Sequence, residues 1–576
     1  MSEVKVAAIQ FEPVLFEKDG NLDRLERLVE EAARGGAQLI VTPEMATTGY
    51  CWQSREEIAP YVESVPGQTT ARFARLASLY GCYIVIGMPE VELTDDLYYN
   101  TAVLIGPEGI VGKHRKTHAY ISEPKWAAAG NLGHHVYETP IGNIALLICM
   151  DIHFLETARI VGLAHASVIC HISNWLAERT PAPYWLNRAY ENGCYLIESN
   201  RWGLERGVQF SGGSCIVDPD GSVQAMIDSG DGIVSGVVVP SKAVSRQLTI
   251  HAARRPDLYK ALASHSYSWN PLDFFNLYGL TPLPVGKKSL VSVGQFNPVS
   301  DVAQNLKVIT EQAQAAQRAG AELIVFPELS LSGAFIDESS AMTLQAEPVT
   351  QLVQLAFTMR MHIIVGFVEA DSGIFYNSAL VVGPEGRVGR YRKIHLNIQD
   401  SIWATPGKEW VHFDLPFGRM GLLLGDDLDL PEATRVLALA GCDVLACPAA
   451  LTSPSPVQHS GTVVPHPAPI PTGADSYHWH LARVRAGENN LYLLFANSYE
   501  VGRRTFGASG IFGPDTFLFP RYESLVTQPC GTAIANIDTT NLDTPYPTNV
   551  VRRKDLVAMR LPQLYMPLWQ PGVVEH

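Results

Sequence analysis

The sequence predicts a layered α/β fold, built twice within one chain of 576 residues. Two observations predict it. Short Val/Ile/Leu runs such as CYIVIG (82–87) and ALLICM (145–150) are apolar throughout, the signature of strands buried on both faces. They alternate with amphipathic stretches such as NLDRLERLVEEAARGG (21–36), whose apolar residues recur at helical spacing and whose Gly35-Gly36 pair ends a helix. Buried strands alternating with one-sided helices imply sheets covered by helices.

The second observation is that the series of elements returns in the same order. VAAIQFEP (6–13) returns as VSVGQFNP (291–298), and GGAQLIVTPEMATTGY (35–50) as AGAELIVFPELSLSGA (319–334). YYNTAVLIGPEGIVGKHRKTHAYISEPKWAAAG (98–130) returns as FYNSALVVGPEGRVGRYRKIHLNIQDSIWATPG (375–407). TPIGNIALLICMDIHFLETAR (139–159) is matched by LPFGRMGLLLGDDLDLPEATR (415–435), and RAYENGCYLIESN (188–200) by RAGENNLYLLFAN (485–497). NLKVITEQAQAAQRAG (305–320) repeats the first helix, and the tails RRPDLYKAL (254–262) and RLPQLYMPL (560–568) also correspond. A tandem repeat this long means two whole domains rather than a solenoid. The division is 1–263 and 288–576, joined by an aperiodic stretch at 264–287 rich in Pro, Gly and aromatics.

Composition narrows the function classes. A hydrophobic content of 47% with 18% charged residues is that of an ordinary globular chain with ample core material. A net charge of −15 without a basic stretch argues against nucleic acid as a partner. No apolar run reaches the ~18 residues of a membrane span, and the start MSEVKVAAIQFEP reads as a first buried strand rather than a signal peptide. Nine scattered cysteines without a CxxC pair fit a reduced, cytoplasmic protein with no structural metal.

Three polar residues of the first half stand where a buried strand meets a loop: Glu44 after LIVTP, Lys116 in KHRKTH, and Cys149 ending ALLI. Taken singly, each has a plainer reading: a packed thiol, a loop carboxylate, a solvated ammonium. Together they form a set suited to acyl transfer. The carboxylate takes the thiol proton, the thiolate attacks a carbon bonded to nitrogen, and the ammonium stabilises the oxyanion.

The motifs PEMATTGY (43–50), HRKTH (114–118) and ICMDIHFLE (148–156), in this order and spacing, resemble those of the carbon–nitrogen hydrolases of the nitrilase superfamily. The resemblance covers both halves almost completely. It implies a Glu-Lys-Cys triad at Glu44, Lys116 and Cys149. Glu123 would be a second glutamate positioning substrate or tuning the lysine, and the Met150 backbone N–H would share the oxyanion site. It also implies two four-layer αββα sandwiches packed as an internal pseudo-dimer, no cofactor, and an assembly that leaves further oligomers open.

The second half keeps Glu328 and Lys393, carries Asp400 at the Glu123 position, and has Gly425 where the cysteine stands. Asp426 and Asp427 flank that glycine; one residue of shift along a strand points a carboxylate to the opposite face. The second domain is therefore expected to be inactive, serving as a scaffold more readily than as a ligand-binding site. SGGSC (211–215), though similar to a phosphate loop, reads as a structural turn, because FGASG (506–510) holds the same place in the second half.

Substrate class is less sharply marked. Cys-x-Asp-x-x-Phe-x-Glu, with Asp151, Phe154 and Glu156, is more similar to the aliphatic and ω-amidases than to nitrilases proper, in which Trp-Glu tends to follow the nucleophile. The expected activity is hydrolysis of a small carboxamide with release of ammonia, through an acyl-enzyme. N-carbamoyl hydrolysis and nitrile hydrolysis are the enzymatic alternatives, and a non-catalytic small-molecule-binding protein is the alternative from another class. Tyr50, Trp126 and above all Trp175 are candidates to line the pocket. His118, His153, Arg179 and Arg201 are the cations available for a substrate carboxylate.

Overall fold

The computed structural model describes residues 3–176, 180–265, 282–452, 477–500, 505–514, 522–540 and 550–570. The chain forms two compact units, the first reaching residue 252 and the second taking up the described residues from 253 onward.

The first unit holds two six-stranded mixed sheets. One runs, edge to edge, through Gly232–Val238, Val4–Gln10, Leu39–Val41, Tyr83–Glu92, Leu97–Gly106 and Gly109–Arg115. Its central three strands, Val4–Gln10, Leu39–Val41 and Tyr83–Glu92, are parallel. The other runs through Val223–Met226, Cys215–Val217, Tyr195–Asn200, Val168–Ser173, Gly142–Ile148 and Val136–Thr139, with parallel pairing among Tyr195–Asn200, Val168–Ser173 and Gly142–Ile148. The sheets face one another, and the helices Lys18–Arg34 and Gln68–Tyr80 pack on the first sheet, while Leu155–Leu163 and Pro183–Asn192 belong with the second. Strands sandwiched between a partner sheet and helices lose water on both faces, which is why they read as unbroken apolar runs.

The second unit repeats this arrangement element by element, with two further six-stranded sheets in the corresponding order. Its inter-sheet core joins Val291, Val293, Ile364 and Val381 of one sheet to Leu422, Val444, Ala446 and Leu494 of the other. The expected αββα sandwiches are thus present twice.

Both first helices begin three residues before the stretch marked by the sequence periodicity, at Lys18 and Val302. In the second, Asp301 caps the end by accepting the N–H groups of Ala303 and Gln304, a cap the apolar pattern does not show. The tail 254–263, placed by its sequence at the end of the first domain, packs within the second unit. Arg254 Nε donates to Glu432 Oε1 at 2.9 Å, Tyr259 OH meets His395 Nε2 at 2.8 Å, and Trp410 Nε1 donates to the Leu258 carbonyl at 3.0 Å. Most of the 264–287 stretch lies outside the described residues. SGGSC is a turn: Gly212 and Gly213 have positive φ, Ser214 N–H donates to Gln10, and Cys215 opens a strand.

Gly87 shows how tightly the sheet holds the loop that carries Glu44. A Cβ built there would lie 2.2 Å from the Pro43 carbonyl and 2.8 Å from the Glu44 Cα, and Gly366 makes the same close approach to Glu328. Gly87→Ala is therefore expected to lower stability by about 1–3 kcal/mol, read as a fall in the denaturation midpoint. An unchanged midpoint would show that the loop yields freely.

Candidate functional site

Strand ends deliver the chemistry, two from parallel strands and one from an antiparallel edge strand. Glu44 lies just beyond Leu39–Val41, Lys116 directly follows Gly109–Arg115, and Cys149 directly follows Gly142–Ile148. The first two strands belong to one sheet and the third to the sheet facing it, so the three side chains converge between the layers.

Glu44 is wholly buried, and its carboxylate accepts four hydrogen bonds. Oε1 takes Lys116 Nζ at 2.8 Å and Asn100 Nδ2 at 2.7 Å; Oε2 takes the Asn174 backbone N–H at 2.7 Å and Asn174 Nδ2 at 3.1 Å. Lys116 Nζ reaches Glu123 Oε2 at 2.5 Å, and Asn100 Nδ2 donates also to Glu123 Oε1 at 2.6 Å. Lys116 and Asn100 therefore bridge the same two carboxylates. Glu123 accepts further bonds from Tyr120 N–H (2.7 Å) and Tyr50 OH (3.2 Å).

Burial opposes the charge on Lys116, but Glu123 and Glu44 outweigh it and hold the ammonium well above its usual range. Burial raises the Glu123 carboxyl against the pull of Lys116. Cys149 is pushed well above an ordinary thiol, chiefly by burial and then by Glu44, while Lys116 and the Asn174 N–H pull the other way. A thiol raised in this way can act as a nucleophile only if a neighbouring carboxylate takes its proton.

Cys149 has φ +44°, a left-handed conformation that few non-glycine residues adopt, and opens a short 3₁₀ turn, Cys149–His153. Asp151, two residues on, clamps this turn. Its Oδ2 meets His114 Nε2 (2.9 Å) and the Ile148 N–H (3.2 Å). Its Oδ1 accepts Thr117 N–H (3.1 Å), Thr117 Oγ1 (2.8 Å) and His118 N–H (3.0 Å). Although burial works against its charge, His114 and His118 hold its carboxyl well below the usual range. The aspartate of the Cys-x-Asp pattern therefore ties the loop after Lys116 to the turn that begins with Cys149.

The structure brings together Glu44, Lys116, Glu123 and Tyr50, whose ring centre is 5.8 Å from Lys116 Nζ, and places Cys149 within their field. Met150 is buried beside Cys149 on the same turn. Trp175 is buried and stacked on His153 (4.8 Å between ring centres, 7° between planes), with Trp185 edge-on to it, within an aromatic cluster. Trp126 sits in an apolar cluster with Tyr50, Trp52 and Phe210. His118 is stacked on Phe154, and Arg201 is paired with Glu205 at 2.7 Å. Arg179 lies outside the described residues. Asn100 and Asn174 were not singled out in the sequence. Asn100 carries a signal there, since it recurs as Asn377 within the YNTA/YNSA block.

The corresponding place in the second unit holds a different balance. Lys393 Nζ meets Glu328 Oε1 at 2.8 Å, Asp400 Oδ2 at 2.6 Å and Asp426 Oδ2 at 2.6 Å. The expectation that Asp426 points away from the site is thus corrected. Side chains alternate in a strand, but Gly425 has φ +44° and begins a 3₁₀ turn, Gly425–Asp429, which swings its neighbour round to the lysine. Asp427 takes the Asp151 role, accepting from His395 N–H and Leu424 N–H. A Cβ on Gly425 would lie 2.4 Å from Glu328 Oε2, so the space of the missing side chain is closed.

A layered α/β fold with a buried acid, ammonium and thiol at its strand ends points to a class, the hydrolases of carbon–nitrogen bonds. The carbon–nitrogen hydrolase family model matches residues 5–243 and again 290–543, and the chain belongs to that family as a tandem of two nitrilase-like domains. Among curated relatives it is 38% identical to a nitrilase of Pyrococcus abyssi over 224 residues, 39% of this chain and 84% of the relative. It is 29% identical to an omega-amidase of Xenopus tropicalis over 277 residues, 45% of this chain and 98% of the relative. Among solved structures, an amidase from Nesterenkonia sp. AN1 matches 44% of this chain and 97% of its own at 24% identity, with a TM-score of 0.38.

Burial, opposed by Lys393, raises the Glu328 carboxyl from 4.5 to about 7. Because the folded chain keeps a proton that the unfolded chain releases, this group costs stability as pH rises from 4.5 to about 7, and the cost is complete above that. Glu328→Gln removes the titration. Its unfolding midpoint relative to the parent should improve across that interval and level off at higher pH; a pH-independent difference would contradict it.

Proposed function

We propose that the first unit hydrolyses a small carboxamide to its acid and ammonia through an acyl-enzyme on Cys149. The observation that carries this reading is the buried Glu44–Lys116–Glu123 network beside a thiol fixed at the head of a turn. Glu44 takes the Sγ proton as sulfur attacks the amide carbon. The resulting oxyanion is stabilised by Lys116 Nζ and by the Met150 N–H, which lies in the first turn of its helix where no helical carbonyl can accept it. Collapse breaks the C–N bond, and the proton on Glu44 goes to the departing nitrogen, releasing ammonia. Glu44 then removes a proton from water, which attacks the thioester; the acid leaves and the proton returns to sulfur. Lys116 keeps its proton throughout, and Glu123, tied to Tyr50, Tyr120 and Asn100, holds the ammonium in place.

An amide rather than an N-carbamoyl substrate is supported by Arg201, one of the four cations offered for a substrate carboxylate, whose guanidinium is buried, paired with Glu205 and laid over Phe210. In the second unit the reading is of a domain without turnover, serving as the internal partner of the first. It lacks the thiol, and Asp426 occupies the lysine.

The test is ammonia release across small amides, N-carbamoyl amino acids and nitriles. Cys149→Ala is expected to lose turnover by about three orders of magnitude or more, with its melting temperature little changed. Hydrolysis surviving in that variant would overturn the acyl-enzyme. Gly425→Cys is expected to leave turnover per chain unchanged, because the new Cβ meets Glu328 and Lys393 remains held by Asp426; a doubled rate would show that only the sulfur was missing.

A further inference from the structure

Two ionisable residues sit fully buried behind Cys149, and the chemistry above uses neither. His171 on Val168–Ser173 and Glu198 on Tyr195–Asn200 are register partners on adjacent parallel strands. His171 Nδ1 is hydrogen-bonded to Glu198 Oε2, while its Nε2 faces the Cys149 carbonyl oxygen at 3.1 Å. A carbonyl oxygen only accepts, so Nε2 carries the hydrogen. The other Glu198 oxygen is bonded to the Ser173 hydroxyl, which lies 2.8 Å from Asn200 Oδ1. Burial opposes a charge on the imidazole, yet Glu198 outweighs it and raises His171 above its ordinary value.

The second unit shows what happens to this chain of groups where the nucleophile is gone. The strand Val444–Ala449 carries Cys447 at the His171 position and Ala449 at that of Ser173, and Tyr492–Asn497 carries Phe495 at that of Glu198. The Cys447 thiol lies against the backbone of Gly425, as His171 does against Cys149, but no imidazole grips the carbonyl there. Asp427, Arg435 and Glu488 keep their first-unit counterparts; the His–Glu–Ser set does not survive.

The Cys149 carbonyl and the Met150 N–H belong to one planar trans peptide, so they point in opposite directions and turn together. A donor fixed on the carbonyl fixes the N–H, and polarising the carbonyl strengthens the N–H as a donor. We propose that the His171–Glu198 pair is a positioning element for this reaction: by gripping the Cys149 carbonyl from behind, it aims and polarises the Met150 N–H toward the oxyanion that forms on the carbon bonded to Cys149 Sγ. This rests on the acyl-enzyme reading above.

The experiment compares the full chain with its His171→Leu and Glu198→Gln variants. It measures kcat and KM for whichever amide is hydrolysed, and the rate of Cys149 alkylation by iodoacetamide followed on the Cys149 peptide by mass spectrometry. Alkylation displaces iodide and builds no oxyanion, so it reports the nucleophile alone. His171→Leu is expected to lower kcat about 100-fold and Glu198→Gln about 10-fold, with KM and alkylation rate each within about threefold of the parent. A folded variant of either kind with kcat within twofold of the parent overturns the proposal, as does alkylation that falls in step with kcat, which would mean that the sulfur itself was displaced. Should His171→Leu fail to fold, Glu198→Gln decides. Turnover persisting in Cys149→Ala would instead remove the acyl-enzyme and leave the geometry of the pair without a reaction to serve.

Discussion

Lys116 carries its ammonium into the interior, 2.8 Å from Glu44 and 2.5 Å from Glu123, and much of the first unit follows from keeping it there. A buried charge must be matched, and removing one partner from such a pair costs about 3–5 kcal/mol. Matching it requires two carboxylates from separate loops, and these in turn need donors: Asn100 for both, the Asn174 backbone for one, Tyr50 and the Tyr120 N–H for the other. Three strand ends from two sheets have to meet within a fraction of an ångström to satisfy all of them. Burial first, and then the Glu44 carboxylate, raise the Cys149 thiol above its ordinary range, so the proposed chemistry includes proton transfer to Glu44 as one of its steps.

The two units are a comparison made within one chain. Both keep a buried acid bonded to a buried lysine, and both hold the nucleophile position at φ +44°. Where the sulfur is lost, three changes accompany it. Asp426 turns in to take the lysine, Glu328 closes over the glycine, and the polar set behind the turn becomes Cys447, Phe495 and Ala449. On the proposed reading, the place without the sulfur thus has a repacked surround in which its buried charges are still paired.

Much of this was legible in the sequence. Unbroken apolar runs locate the strands, period-3.6 patterning the helices and the repeat the second fold, because buried layers impose such runs wherever they occur. Glu44, Lys116 and Cys149 stand out where a buried strand meets a loop, whereas Glu123 is marked only by the family resemblance. The donors Asn100 and Asn174 do not stand out, since a single asparagine at a strand end has many uses. Asp426 was misplaced because strand alternation was carried one residue past the strand, and a turn starting at a positive φ cannot be seen in the letters. The tail at 254–263 belongs with the other unit for a similar reason: sequence order says which residues follow, not which sheet they pack on. His171 and Glu198 were visible in VICHIS and YLIESN as polar residues in buried strands, but only the counterparts VLACPA and YLLFAN show that they track the cysteine.

The central claim is one working site per chain, and the most direct measurement is the number and place of acyl groups trapped during turnover. Acid quenching of the full chain in the presence of a hydrolysed amide, followed by intact-mass and peptide analysis, should show one acyl group per chain, on Cys149 and on none of the other eight cysteines. Two acyl groups per chain, or one on any residue other than Cys149, would contradict the account.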